Sequence, residues 1–130
     1  MKQRTIKIRG KRIDNGKWVY GYLVYDERKK ELGRYGIKIG DRTYYVESES
    51  VGRYTGLKDK NGVEIYEGNI VSNGNKNKKY EDIFEIYFDR GEFLAGCKRG
   101  IIGGKTLGFW SDNLEVIGNI YEHASLLDNR

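Results

Sequence analysis

Proline is absent from this 130-residue chain, so every turn must be built by glycine (18 residues), asparagine or aspartate. A single cysteine, Cys97, excludes an intramolecular disulfide and reads as a small hydrophobe in a reducing compartment. No histidine neighbours it in the sequence, which argues against an activated thiol. The one histidine, His123, belongs to no cluster with metal-ligand spacing, so it reads as structural and no zinc site is expected. No apolar run approaches membrane-spanning length, and the opening MKQRTIKIRGKR lacks the hydrophobic stretch of a signal peptide. A cytoplasmic protein without membrane contact is the expectation.

Catalytic constellations are missing as well. Glu64 and Glu67 are the nearest thing to an acid–base pair, and both read as exposed turn carboxylates. The run around Gly103, Gly104, Lys105 and Thr106 lacks the glycine-to-lysine spacing and the helical sequence of a phosphate-binding loop. The expectation is therefore no enzyme, no catalytic or metal residue, and no cofactor.

What is abundant is tyrosine, 11 residues against 4 Phe and 2 Trp. Its ring packs on a pleated surface while its hydroxyl stays wet, and with 18 glycines for tight turns this favours β structure. Thr5–Ile13 alternates apolar and basic residues and ends at Asn15-Gly16, a hairpin signal of type I′. The return strand, Trp18–Tyr25, is partly apolar on both faces, which places it inside a sheet or under another element. A charged tip, DERKKE, precedes the pair Tyr35–Ile39 and Thr43–Val46, and Ser48–Ser50 is a polar joint. Beyond it lie short strands at Val63–Tyr66 and from Ile70, an Asn/Lys-rich loop over 72–80, strands at Ile83–Phe88 and Leu114–Tyr121, and a terminal turn or short helix. Short strands with turns every 8–12 residues predict an all-β chain of sandwich or barrel pattern.

Four blocks in fixed order carry a family resemblance: IKIRGKRIDNGKWVYGYL, VGRYTGLKDKNGVEIYEGNIV, FEIYFDRGEFLAG and LEVIGNIYEH. The chain resembles the YopX family, small proteins of phages and prophages in Gram-positive bacteria. One departure is visible: the family usually reads YEGDIV where this chain has Asn69. The resemblance implies N-terminal β-hairpins over residues 1–50, followed over residues 51–130 by a small barrel of Src-homology-3 type with a short C-terminal tail. It implies a mobile-element origin and no particular activity.

Two binding readings follow. The net charge of +5 is uneven, with 16 Lys or Arg against 9 Asp or Glu in residues 1–65, and 8 against 10 in residues 66–130. Lys7, Arg9 and Lys11 fall on one face of an extended strand, about 6.6–6.8 Å apart, which suits phosphates. With Arg12 and Lys17 and the nearby Tyr20 or Tyr22 they form a candidate nucleic-acid surface. The bland alternative is a strand edge made basic against aggregation. The preferred reading is an accessory binding module acting through contact with a host or phage protein, or with itself as an oligomer. Tyr35, Tyr44, Tyr45 and Tyr80 are its candidate interface residues. Gly56, Asn61, Gly62, Gly68 and Asn69 read as structural: turns of a compact barrel filled by Leu57, Ile65, Tyr66 and Ile70.

Overall fold

The computed structural model describes residues 6–30, 34–74, 83–96, 105–109 and 111–128. Among these residues the chain is all-β apart from short 3-10 turns and one four-residue helix, α1 (Ser125–Asp128). It divides into two units, Met1–Tyr54 and Thr55–Arg130.

The N-terminal unit is built from β1 (Ile8–Lys11), β2 (Trp18–Tyr25), β3 (Tyr35–Ile39), β4 (Arg42–Tyr45) and the first residues of β5 (Gly52–Lys58). The periodicity placed β2 and β3 at their observed limits. All pairs are antiparallel, and β2 is shared along its length: Trp18–Gly21 pairs with β1, and Tyr22–Tyr25 with β3. Beyond β4 the chain returns to the end of β1. Val46 bridges Arg12, the Ile13 N–H donates to the Tyr45 carbonyl at 3.1 Å, and the Glu47 N–H to the Lys11 carbonyl at 2.9 Å. These bonds close β1–β4 into a ring.

The ring has almost no room inside. A Cβ on Gly10 would lie 2.7–2.9 Å from three carbons of Val46. Val46 and Ile37 are fully buried. The ring is filled by those two side chains and by glycines that let backbone approach backbone.

Two local expectations are corrected here. The loop joining β1 to β2 is not a type I′ turn. The Arg12 N–H donates to the Lys17 carbonyl at 2.8 Å across Ile13–Gly16, and only Gly16, at φ 72°, enters the left-handed region. A type I′ turn needs positive φ at both central residues, and Asn15 does not have it. Instead the Asn15 Oδ1 accepts the Lys17 N–H at 2.9 Å. Gly56 is not in a turn either. It lies inside β5 with φ 86°, a bend within a strand that a side chain would strain.

The C-terminal unit holds the rest of β5, β6 (Glu64–Tyr66), β7 (Asn69–Ser72), β8 (Ile83–Asp89), β9 (Glu92–Gly96), β10 (Lys105–Thr106) and β11 (Glu115–Asn119). Five strands form an antiparallel sheet in the order β10-β9-β8-β7-β11. Ile65, Val71, Ile86, Ala95, Leu107 and Leu114 form one buried cluster, with Leu57, Phe84, Phe93 and Val116 packed on it. Each large aliphatic there contributes about 1.5–3 kcal/mol of burial. Among the described residues β10 and β11 are the edges of this sheet, so the barrel closure implied by the resemblance is not among the observed pairings. The ring closure lies instead in the N-terminal unit.

Edge strand β11 carries a bulge at Ile117, where pairing shifts between Val116 and Gly118. Its outward groups are met by the turn before β6. The Lys60 N–H donates to the Leu114 carbonyl at 2.9 Å, and the Asp59 Oδ2 accepts the Val116 N–H at 2.8 Å. The Asp59 Oδ1 also accepts the N–H groups of Asn61 and Val63, at 2.8 and 2.9 Å. Burial pushes the Asp59 carboxyl up, but the N–H donors of Val116, Val63 and Asn61, with Lys60 nearby, outweigh it and hold it below the usual carboxylate range.

Two predictions follow from these contacts. Gly10→Ala costs about 1–3 kcal/mol in chemical denaturation through overpacking, and adding Val46→Ala makes the pair cost less than the sum of the singles; strict additivity would remove the contact from the account. Asp59→Asn offers one carbonyl oxygen to three N–H donors and costs about 1–3 kcal/mol. Because the folded carboxyl is depressed, its contribution is complete above the ordinary unfolded value of about 3.9 and is lost as pH falls through the folded one. The native chain therefore loses stability in acid more steeply than Asp59→Asn does.

Candidate interaction face of the N-terminal unit

The register of β1 against β2 sets Arg9 opposite Tyr20 and Lys11 opposite Trp18. Strand alternation adds Lys7, whose carbonyl accepts the Tyr54 N–H at 2.8 Å. The basic stripe thus shares a face with Trp18, Tyr20 and Tyr22, as the alternation predicts, but it is not an exposed ladder. Arg9 is 6% exposed, with its guanidinium 4.5 Å from the centre of the Trp18 ring, and Lys7 and Lys11 are half-buried. The Lys7 ammonium lies 5.9 Å from the Tyr54 ring. Lys17 alone of the five candidate cations is exposed. The strand is not an edge, because β1 lies between β2 and β5.

Arg12 points to the opposite side and is held twice. Its Nε and Nη2 donate to the two carboxylate oxygens of Asp14 at 2.9 and 2.6 Å, and its guanidinium stacks 4.6 Å from the centre of Tyr44. That side-chain hydrogen bond holds the Asp14 carboxyl below its ordinary range. The two residues line a recess of about 310 Å³ with Ile13, Thr43, Tyr44 and Tyr45. An incoming anion would have to displace Asp14 from the guanidinium.

The tyrosines expected at an interface are less open than anticipated. Tyr44 carries Arg12, Tyr45 has the Lys29 ammonium 5.9 Å from its ring, and Tyr35 meets Tyr25 at 5.1 Å; all three are half-buried. Tyr80 lies outside the described residues, as do Cys97, Gly103 and Gly104. The open side chains are on β2 itself. Tyr20 is 43% exposed, Tyr22 69%, Leu23 43% and Tyr25 50%, with Ile39 of β3 at 43%. Tyr20 and Tyr22 face one side of the strand, Leu23 and Tyr25 the other, so neither side of its second half is covered. The sequence shows that β2 is apolar on both faces. That both faces stay open runs against the burial this pattern ordinarily signals.

The turn motif of the C-terminal unit makes contacts within the fold. Gly62 and Gly68 sit in turns at φ 82° and 86°, and the Asn61 N–H donates to Asp59. Asn69 is 3% exposed. Its Oδ1 accepts the Tyr66 N–H at 2.6 Å and its Nδ2 donates to the Gly118 carbonyl at 3.2 Å. The second bond needs a donor that an aspartate at this position would not have. Ile65, Tyr66 and Ile70 are buried and Leu57 half-buried, as the motif reading placed them. His123 accepts the Asn119 N–H at Nδ1 (3.1 Å). The Glu64 Oε1 accepts the Tyr66 hydroxyl at 3.0 Å.

Among the described residues no three His, Cys, Asp or Glu side chains gather to hold a metal ion, and no helix is long and apolar enough to cross a membrane.

No curated protein matches this chain. The crystal structure of protein EF1440 from Enterococcus faecalis is similar, with 26% sequence identity and a TM-score of 0.59 over 96% of this chain and 99% of that one. A family model described as YopX protein matches residues 7–128, nearly the whole length. The chain therefore belongs to the YopX family.

Proposed function

We propose that this protein is a non-enzymatic binding module that acts through protein–protein contact, and that the β2–β3 hairpin is its contact element. One observation carries the reading: the consecutive residues Tyr22 and Leu23, on opposite sides of β2, are 69% and 43% exposed, and Tyr25 is 50% exposed. A protein partner that packs against both sides would bury tyrosine and aliphatic surface together, the composition of an interface core. The family setting makes a phage-encoded accessory role the natural context, with a host or phage protein as partner.

Nucleic-acid binding has less support. Exposed Leu23 and Ile39 gain little from phosphates or bases. Of the basic stripe, Arg9 is buried against Trp18, and the Lys7 ammonium lies over Tyr54. Few of these cations are placed to release counterions from a phosphate backbone.

The test is affinity capture from the bacterial host with the native chain and with Tyr22→Ser/Leu23→Ser, each with and without nuclease. Tyr22 is open and Leu23 only partly buried, so the double variant should cost about 1–2 kcal/mol and remain folded. A specific protein recovered by the native chain despite nuclease, and lost with the double variant, is the expected result. Equal recovery by both baits, or recovery of nucleic acid alone, would overturn the reading.

A further inference from the structure

The charges of the N-terminal unit are sorted by position. Residues 1–54 hold 14 Lys or Arg against 7 Asp or Glu, a net +7, whereas residues 55–130 hold 10 against 12. None of the strands β1–β4, reading IRGK, WVYGYLVY, YGIKI and RTYY, contains an acid. The acids of the unit stand outside these strands, and Asp14 and Asp26 among them are occupied by Arg12 and Arg28. These strands therefore present cationic, aromatic, aliphatic and hydroxyl side chains and no carboxylate.

On one side of the sheet cations and aromatic rings are interleaved. Tyr22 stands opposite Lys38, and Lys38 opposite Thr43, across β2, β3 and β4. Tyr20 lies on the same side one step along β2, with the half-buried Lys11 and Trp18 beyond it. Lys38 is exposed and Lys11 half-buried.

We infer that the segment docking on the Tyr20–Tyr22–Lys38 side is an acidic stretch of another protein, with apolar residues that pack between the tyrosines and carboxylates that meet Lys38 and Lys11. The inference rests on the protein-binding reading above and names the chemistry of its partner. A carboxylate brought to this side meets cations and no acid from β1–β4, so electrostatic complementarity favours its approach and fixes its register. A second copy of the same side is disfavoured, because a two-fold contact would set one +7 unit against another.

The experiment titrates the native chain with three probes and follows the backbone amide signals of Tyr22 and Lys38 by nuclear magnetic resonance. The probes are a short peptide of alternating Glu and Leu, its Lys–Leu counterpart, and an oligothymidylate. Saturable binding of the Glu–Leu peptide, with shifts centred on those two residues, is expected. Lys38→Glu should weaken it about threefold or more while leaving the spectrum of the free protein folded. Preference for the Lys–Leu peptide, binding unaffected by the Lys38 charge reversal, or no binding of the Glu–Leu peptide would overturn the acidic partner. Tighter binding of oligothymidylate at the same residues would overturn it too. These failures are distinguishable from failure of the protein-binding reading, which is decided by host capture with Tyr22→Ser/Leu23→Ser.

Discussion

Val46 occupies the place that a Cβ of residue 10 would take, within 2.7–2.9 Å of it, and the N-terminal unit depends on that approach. With glycine there, the chain after β4 can reach the end of β1 and bond to Lys11, Arg12 and Ile13. Closing the ring consumes the bonding capacity of the β1 end and fills the interior with Val46 and Ile37. So small an interior cannot bury the large side chains of β2. They are left partly open on both sides of the strand, Tyr22 on one and Tyr25 on the other, each at least half exposed. The open hairpin is thus a consequence of the tight ring.

The two units solve the burial problem differently. The C-terminal unit has an aliphatic cluster, and its β7 is buried at Asn69, Ile70 and Val71 in succession. That requires buried polar groups to be met: Asn69 satisfies Tyr66 and Gly118, and Asp59 satisfies three backbone donors, one of them on the edge strand β11. Those contacts make the EIYEGNIV stretch a structural device. The N-terminal unit instead stacks cations on rings, with Arg9 on Trp18 and Arg12 on Tyr44. A cation on a ring covers part of both, which is why the basic residues, Tyr44 and Tyr45 are poorer interface candidates than β2.

Much of this was legible in the sequence where the signal is local. Alternation fixed β2 and β3, and the family blocks fixed the all-β class and the membership. Gly62 and Gly68 announced turns. Features that depend on distant partners were not legible. The bend at Gly56 looks like a turn because glycine serves both, and only pairing separates them. The loop at Asn15-Gly16 lengthened because Arg12 pairs with Lys17 rather than the chain turning sooner. Arg9 and Tyr44 look like surface residues until register sets Arg9 beside Trp18 and the loop carries Arg12 to Tyr44. Nothing in WVYGYLVY says that both faces stay open, since an apolar strand of this kind is ordinarily covered.

The central claim is that the second half of β2 is the binding element, and hydroxyl-radical footprinting of the chain, alone and bound to the protein recovered from its host, addresses it most directly. The account predicts high reactivity at Tyr22, Leu23 and Tyr25 in the free chain and protection of these residues in the complex. Unchanged reactivity on β2, with protection confined to exposed positions of the C-terminal unit such as Phe88 and Ile117, would contradict it.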